Sequence, residues 1–395
     1  MRALSSVTEK FTESVIREMT RICDAVGGLN LAQGFPDFAP PDEVRDAAMR
    51  AMVDQGGVLN QYPVTFGEPA LREAIARKAG AYNGISCDPD TDITVTCGAT
   101  EAMIATLTAI INPGDEVIIF EPFYENYGPD TILSGATPRF VTLYPPGWRY
   151  SPDELRAAFS AKTKAVIINT PHNPTGKVFS REELSEIAAL CQEWDCLAVT
   201  DEVYEHILYD GEKHVSVASL EGMRGRTVTI SSASKTYSVT GWRVGWAIAS
   251  PEIAARIRKV HDFLTVGAPT PFQYGVAVGL GLPGGPGGYY AALAERYRKA
   301  RDFLFGVLQE TGFDPLQPKG AYYVIAQTGP AMRRLGVDDD LSFSKELLRR
   351  TGVATVPGNS FYAGKEKVTR QARFCFSKRE ETLEKVEAAL RSLVR

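Results

Sequence analysis

The sequence has little of what a metalloprotein, a disulfide scaffold, a nucleic-acid binder or a membrane protein requires. Its four histidines show no metal-ligand spacing, and its six cysteines (Cys23, Cys87, Cys97, Cys191, Cys196 and Cys375) include no CxxC pair. They read as free thiols in a reducing compartment. Positive charge is not in excess: 43 Lys and Arg against 48 Asp and Glu leave a formal net charge of −5. With the signs interspersed, there is no footprint for DNA, RNA or an anionic membrane surface. No apolar run is long enough to span a bilayer. The opening MRALSSVTEKFTESVIREMTR alternates charged and apolar residues where a signal peptide needs an unbroken apolar stretch. The expectation is a soluble, cytoplasmic chain whose partners are small molecules.

What is present is ordinary globular material, 44% hydrophobic and 23% charged over 395 residues, enough for a large core and a smaller second one. From about Asp92 to Ser250 short β-branched runs recur: DITVTC, EVIIF, PRFVTL, KAVIIN, CLAVT, RTVTIS and VGWAIAS. Between them lie stretches such as SREELSEIAALCQEW, with apolar residues at helical spacing behind a Ser and acidic residues, an N-cap signature. Strands alternating with helices imply an α/β domain on a mostly parallel sheet. GLGLPGGPGG (Gly279 to Gly288) breaks this rhythm ahead of a long amphipathic helix and reads as an interdomain loop. Beyond it GAYYVIAQ, SFSKELLRRTG, VATVPG, RQARFCFS and EETLEKVEAALRSLV mix strands and helices as a small α+β domain would. The predicted division is an N-terminal segment (1–45) serving the small domain and the active site, a large domain (46–288) and a small C-terminal domain (289–395).

In an open α/β sheet ligands sit at the carboxyl ends of strands, so the residues just after each run are informative. CGATEA places Gly98, Ala99 and Thr100 at a turn into a helix expected near Glu101, where free N–H groups suit a phosphate; glycine also occurs at such turns for steric reasons alone. EPFYENY puts Phe123, Tyr124 and Tyr127 at the mouth of the sheet, to stack on a flat ring or merely on one another. TPHNPTG presents Asn173 on a Pro-punctuated turn. DEVY presents Asp201, which if buried needs a cation or a proton donor. SSASKTYSVTGWRVGW sets Lys235 between Ser232 and Arg243, both able to bind phosphate. Together these form one requirement list, that of pyridoxal 5′-phosphate (PLP): a lysine for a Schiff base, a carboxylate for the ring nitrogen, donors to the ring oxygen, an aromatic cover and a phosphate cup.

In the order CGATEA, EPFYENY, NPTG, DEVY, SxxK, GWRVGW and RFCF, the chain resembles the class I/II aminotransferases of PLP fold type I over nearly its whole length. The resemblance implies the aspartate-aminotransferase-like fold, a large domain with a mostly parallel sheet flanked by helices plus a smaller α+β domain. It implies that Lys235 carries the cofactor and Asp201 pairs with the ring nitrogen. Asn173 and Tyr204 would bond the ring oxygen, and Tyr124, with Phe123 as the lesser candidate, would cover the ring. Ala99, Thr100, Ser232 and Arg243 would hold the phosphate, Gly98 belonging to the same turn, and Tyr62 would reach it from the other subunit of a homodimer. Arg373 in RFCF would bind the substrate α-carboxylate, beside Asn173 and Gly34.

AQGFPDF (Ala32 to Phe38) is similar to the kynurenine–oxoglutarate, glutamine–phenylpyruvate and methionine aminotransferase branch. The function expected is amino transfer from glutamine, methionine, an aromatic or a kynurenine-like L-amino acid to a 2-oxo acid, with ping-pong kinetics. The alternatives are a cysteine-conjugate β-lyase and an N-succinyldiaminopimelate aminotransferase. A nicotinamide dehydrogenase is disfavoured: Gly279, Gly281 and Gly284 spell GxGxxG, but late in the chain and with Pro283 inside it. A PLP-dependent transcription regulator would need a DNA-binding domain for which the chain leaves no room.

Overall fold

The computed structural model describes residues 4–54, 56–284, 287–364 and 368–394. A two-residue strand, β1 (Leu29–Asn30), comes first. The seven β-branched runs then form β2 (Ile93–Thr96), β3 (Glu116–Glu121), β4 (Thr137–Thr142), β5 (Thr163–Asn169), β6 (Leu197–Asp201), β7 (Thr227–Ser232) and β8 (Gly245–Ile248). They make one sheet in the order β2-β8-β7-β6-β5-β3-β4. Every pairing is parallel except those of β8, antiparallel to both β2 and β7.

Strands β3 and β7 are buried throughout, which a sheet covered on both faces demands. Alternation along each strand feeds two separate cores. Ile118, Val166, Ile168 and Ala198 pack with Leu184, Ile187 and Leu190 of the helix Arg181–Glu193. Val117, Ile119, Ile167 and Val199 pack instead with Ala102, Met103 and Leu107 of the helix Gly98–Ile110 and with Ile257 of the helix Pro251–Leu264. One residue of register separates these two sets, as the period of a strand requires.

A second, antiparallel sheet contains β9 (Asp314–Leu316), β10 (Tyr323–Gln327), β12 (Val356–Pro357) and β13 (Gln371–Cys375) in the order β12-β13-β10-β9. Strand β11 (Val353–Ala354) pairs in parallel with β1, so the N-terminal segment joins this part of the molecule. Its core includes Leu304 and Leu308 from the helix Tyr289–Glu310, Phe343 and Leu347 from the helix Asp340–Thr351, and Val324 and Phe374 from β10 and β13. The Gly/Pro stretch begins within a helix: Gly279 belongs to the helix Thr270–Leu280, so no strand precedes the GxGxxG spelling. Residues 285 and 286 of that stretch lie outside the described residues.

The N-cap read at Ser180 is a full capping box, in which Ser180 Oγ accepts from Glu183 N at 3.2 Å and Glu183 Oε2 accepts from Ser180 N at 2.9 Å. Ser180→Ala is expected to lower unfolding free energy by about 1 kcal/mol in a denaturant titration, since the Glu183 N–H at the helix end loses its partner. No change in the midpoint would show that the box does not contribute.

Candidate active site

The carboxyl ends of β2, β5, β6 and β7 open onto one cavity of about 500 Å³. Ala99, Thr100, Ser232 and Arg243 line it, as do Tyr124, Asn173, Asp201, Tyr204, Lys235, Gly34 and Arg373. Residues from seven segments of the chain are thus brought together.

One part of the wall is an anion pole. The helix predicted to open near Glu101 opens three residues earlier, at Gly98, because Gly98 takes φ +82° and turns the chain directly out of β2. A side chain there would also place Cβ 2.3 Å from Arg243 Nη2, so the guanidinium lies against the glycine. Arg243 donates to Thr240 O at 2.9 Å and to Cys97 O at 3.4 Å, and it has no ion pair among the described residues. A guanidinium beside a helix N-terminus sets like poles together, an arrangement that favours a bound anion.

Lys235 sits in a single helical turn, Ala233–Thr236, behind Ser232. Its Nζ donates to Gly34 O at 3.1 Å, and Tyr322 Oη donates to the same carbonyl at 2.9 Å. The accessibility Lys235 keeps is toward the cavity, and desolvation pushes its ammonium down to about 8, with Arg243 and Arg373 adding to the effect. Asp201 is buried and pushed above the ordinary carboxylate range by desolvation, against which Tyr127 Oη donates to Oδ2 at 2.7 Å and Val203 N to Oδ1 at 3.3 Å. Gly34 is a close approach: a Cβ there would meet Tyr323 Oη at 1.8 Å.

Arg373 is 1% exposed and has no carboxylate partner among the described residues. Nη1 donates to Asn173 Oδ1 at 2.8 Å, Nη2 to Ala32 O, and Nε has no partner. The guanidinium lies 4.2 Å from the Tyr323 ring centroid, which follows from register, since Tyr323 and Arg373 project from the same face of paired strands. Asn173 is held in turn by Asn169, whose Oδ1 accepts from Asn173 N at 2.7 Å while its Nδ2 donates to Asp201 O at 2.8 Å.

Two residues singled out from sequence stand apart. Phe123 stacks on Phe140 with ring centroids 5.3 Å apart and does not line the cavity, whereas Tyr124 does. Tyr62 is 86% exposed on this single chain and lies outside the cavity. Sequence reasoning missed the hydrogen bond of Tyr127 to Asp201, the positioning of Asn173 by Asn169, and Tyr322 and Tyr323 altogether. The aromatic pair in GAYYVIAQ was visible, but its place depends on the packing of β10 against the larger sheet. Asp130 also lines the cavity; its carboxyl, pushed up to about 7 by burial, was not anticipated.

In the ligand-free chain Lys235 is expected to react with an amine-selective acylating reagent at a rate that rises through about pH 8, because the neutral amine is the nucleophile and its fraction grows above the lowered pKa. A midpoint at the ordinary lysine value, followed by peptide mapping of Lys235, would contradict the desolvated setting.

The model of the family described as aminotransferase class I and II matches residues 26–390. Human kynurenine–oxoglutarate transaminase 1 is 38% identical, with 95% of this chain and 94% of that protein covered. Among solved structures, N-succinyldiaminopimelate aminotransferase from Mycobacterium tuberculosis superposes with a TM-score of 0.93 at 38% identity, covering 99% of this chain and 100% of that one. A methionine aminotransferase from Escherichia coli gives a TM-score of 0.91 at 36% identity, covering 99% and 100%. The fold is the aspartate-aminotransferase-like fold type I, and the chain belongs to the class I and II aminotransferases as a PLP-dependent transaminase.

Proposed function

We propose that the amino donors are L-amino acids with long or aromatic side chains, of the glutamine, methionine, aromatic and kynurenine-like kinds, that the acceptor is a 2-oxo acid in a ping-pong cycle, and that the enzyme is a cytoplasmic homodimer. The observation that carries the reading is Arg373, a buried guanidinium on the cavity wall with no carboxylate partner among the described residues. Its fork of donors suits the α-carboxylate shared by donor and acceptor. Ile16, Phe35, Met103 and Tyr124 give the same cavity apolar wall for a long side chain.

The residues present fit PLP: an unneutralised anion pole, a desolvated amine and a buried carboxylate lie around one cavity. When bound, PLP supplies an aldehyde that takes up the amino group and a ring that accepts the electron pair released as a substrate C–H bond breaks. In this reading Ala99, Thr100, Ser232 and Arg243 hold the phosphate, with Gly98 leaving room for the guanidinium. Asp201, kept accepting by Tyr127 and Val203 N, holds the ring nitrogen in its protonated form. Asn173 and Tyr204 donate to the ring oxygen, and Tyr124 covers the ring. Lys235 Nζ would hold the cofactor aldehyde and, as a free amine, would take the proton from the substrate Cα. Arg373 fixes the substrate carboxylate, Gly34 leaving space beside it.

A homodimer is supported by the surface around Tyr62. Thr65 Oγ1 donates to Asp262 at 3.3 Å and Thr65 O bonds His261 Nε2 at 2.8 Å, so the Tyr62 loop lies beside Phe263, which is 91% exposed. An exposed aromatic pair of this kind suits a covering copy, across which Tyr62 reaches the phosphate. Six free cysteines support a reducing, cytoplasmic setting. Boundaries near residues 45 and 288 belong to the same proposal, supported by the β1–β11 pairing and by the long helix that begins at Tyr289.

A second reading is an N-succinyldiaminopimelate aminotransferase. The M. tuberculosis protein supports it, as does Arg17, an exposed cation on the cavity wall without an ion pair among the described residues, suited to a distal carboxylate. Ranking initial rates with glutamine, methionine, phenylalanine, kynurenine and N-succinyldiaminopimelate separates the two readings.

Lys235→Ala is expected to lower transamination by roughly a thousandfold or more, with PLP still retained by equilibrium dialysis through the phosphate and ring contacts. Near-normal turnover by this variant would sink the assignment. Arg373→Gln is expected to raise KM for the amino donor roughly a hundredfold, the loss of a desolvated charge pair, with a smaller fall in kcat. Unchanged KM would remove Arg373 from the carboxylate site.

A further inference from the structure

The active-site cavity has a neighbour. A second cavity of about 490 Å³ lies beyond Ser14, Arg17, Glu125, Asn126 and Asp130, which line both spaces. Much of its wall is apolar, with Phe123 and Phe140 stacked at 22° and Pro129, Ile132 and Pro138 around them, while Lys10, Glu13 and Arg17 add charge. The partition between the cavities is held by Glu125, which accepts from Ser14 Oγ at 2.5 Å and from Ile16 N at 3.3 Å. One carboxyl of the partition is therefore fully served.

The other is not. Asp130, on the helix Tyr127–Leu133, is 7% exposed, and its carboxyl makes no hydrogen bond or ion pair among the described residues; Oδ2 is sealed from solvent without a partner. Folding alone would favour an apolar side chain there, because a carboxyl withdrawn from water without a partner costs stability. Oδ1 is not sealed and makes no hydrogen bond either, and such an unserved acceptor on the wall of two ligand-sized spaces points to a partner that arrives with a ligand. The remaining walls say what kind. Apolar and aromatic surface suits a hydrocarbon or aryl stem, and a carboxylate in a dry setting discriminates strongly for a hydrogen-bond donor over an isostere that lacks one.

We propose that Asp130 is a specificity-determining residue, and that the two cavities together take an amino donor whose apolar or aromatic side chain ends in an N–H group, an amide or an arylamine, from which the Asp130 carboxyl accepts. This rests on the proposed preference for long or aromatic donors and narrows it, setting glutamine-like and kynurenine-like donors above methionine and phenylalanine. The burial that pushes the carboxyl up to about 7 leaves it partly ionised near neutrality, and an N–H partner draws it to the accepting form.

The test uses isosteric pairs. The holoenzyme is titrated calorimetrically with 3-(4-aminophenyl)propionate and 3-(4-methylphenyl)propionate, which lack an α-amino group and do not react. In parallel, kcat/KM is measured for 4-aminophenylalanine and 4-methylphenylalanine. The expected result is a preference of roughly tenfold or more for the amino member in both assays, abolished in Asp130→Leu, while the methyl member changes by less than about threefold. Asp130→Leu is expected to melt at or above the wild type, since an unpaired buried carboxyl has been removed. If it does not fold, Asp130→Asn, of nearly equal volume and a weaker acceptor, must reduce the preference instead. Equal binding of the pair by the wild type, or an unchanged preference in the variants, overturns the proposal. Failure of the underlying reading looks different: neither aromatic donor is turned over while a short donor such as alanine is.

Discussion

Asp201 and Lys235 stand at and just beyond the ends of neighbouring strands β6 and β7, and much of the surrounding structure serves to keep a carboxylate and an amine dry in one place. Burial drives the two toward their neutral forms from opposite sides, Asp201 upward and Lys235 downward. They form no ion pair with each other, and the attraction between them offsets only part of what burial does to each. Tyr127 and the backbone of Val203 give Asp201 part of what water would have given, and the Gly34 carbonyl does the same for Lys235. What stays unsatisfied is a demand for a cationic ring nitrogen and for an electrophile, and PLP supplies both. The anion pole at Gly98 and Arg243 and the unmatched guanidinium of Arg373 follow the same pattern: each is a cost in the empty fold that a ligand of opposite character offsets.

Holding such groups in place takes a second polar structure beneath the first. Glu202 follows Asp201 directly, and its carboxylate accepts from Thr200, His214, Ser216 and Asn83. Glu205 accepts from Asn83 and Lys78 and, through Oε1, from Ser231 at 2.8 Å, next to Ser232. One buried network thereby fastens the end of β6 to the end of β7. Glu202, Glu205 and His214 bring ligand atoms within 4.8 Å of one another, spacing that could hold a cation. Here the carboxylate lone pairs are already taken up by hydroxyl, amide, imidazole and ammonium donors, so the cluster acts as polar cement. Both carboxylates of this network are fully engaged, although His214 Nδ1 has no partner among the described residues, and a network bonded this densely is rigid, which fixes the separation of Lys235 from Asp201.

The sheet was legible because its residues carry the information locally. Seven β-branched runs became seven strands, and the polar residues after them converged because parallel strands deliver their carboxyl ends to one edge. Lys235, Asp201, Asn173 and Ser232 could therefore be placed from sequence. Arg373 was legible by resemblance, and its geometry then followed from the register of β10 on β13. Partners that arise only when elements pack were not legible. Tyr127 was seen as one of three aromatics in EPFYENY, and nothing local distinguishes the ring that stacks on Phe140 from the one that reaches Asp201. Tyr322 and Tyr323 read as core residues of a strand, which they also are. The helix after β2 was placed three residues late because Gly98 looks like a turn residue, whereas its positive φ lets the helix begin at once.

The residues proposed to select the substrate belong to a different mechanical class from those that carry the chemistry. Lys235, Asp201 and Asn173 are set by strand ends and the polar network behind them, so a change in one disturbs several partners. Arg17 and Asp130 sit on the helices Val15–Ala25 and Tyr127–Leu133, and neither side chain makes an ion pair among the described residues. Substitution at these two positions leaves the sheet, its two cores and the network intact, because none of those depends on them. The proposed donor selectivity thus sits at positions whose change leaves the chemistry standing, so a substitution at Asp130 alters selectivity without touching the network that fixes Lys235 and Asp201.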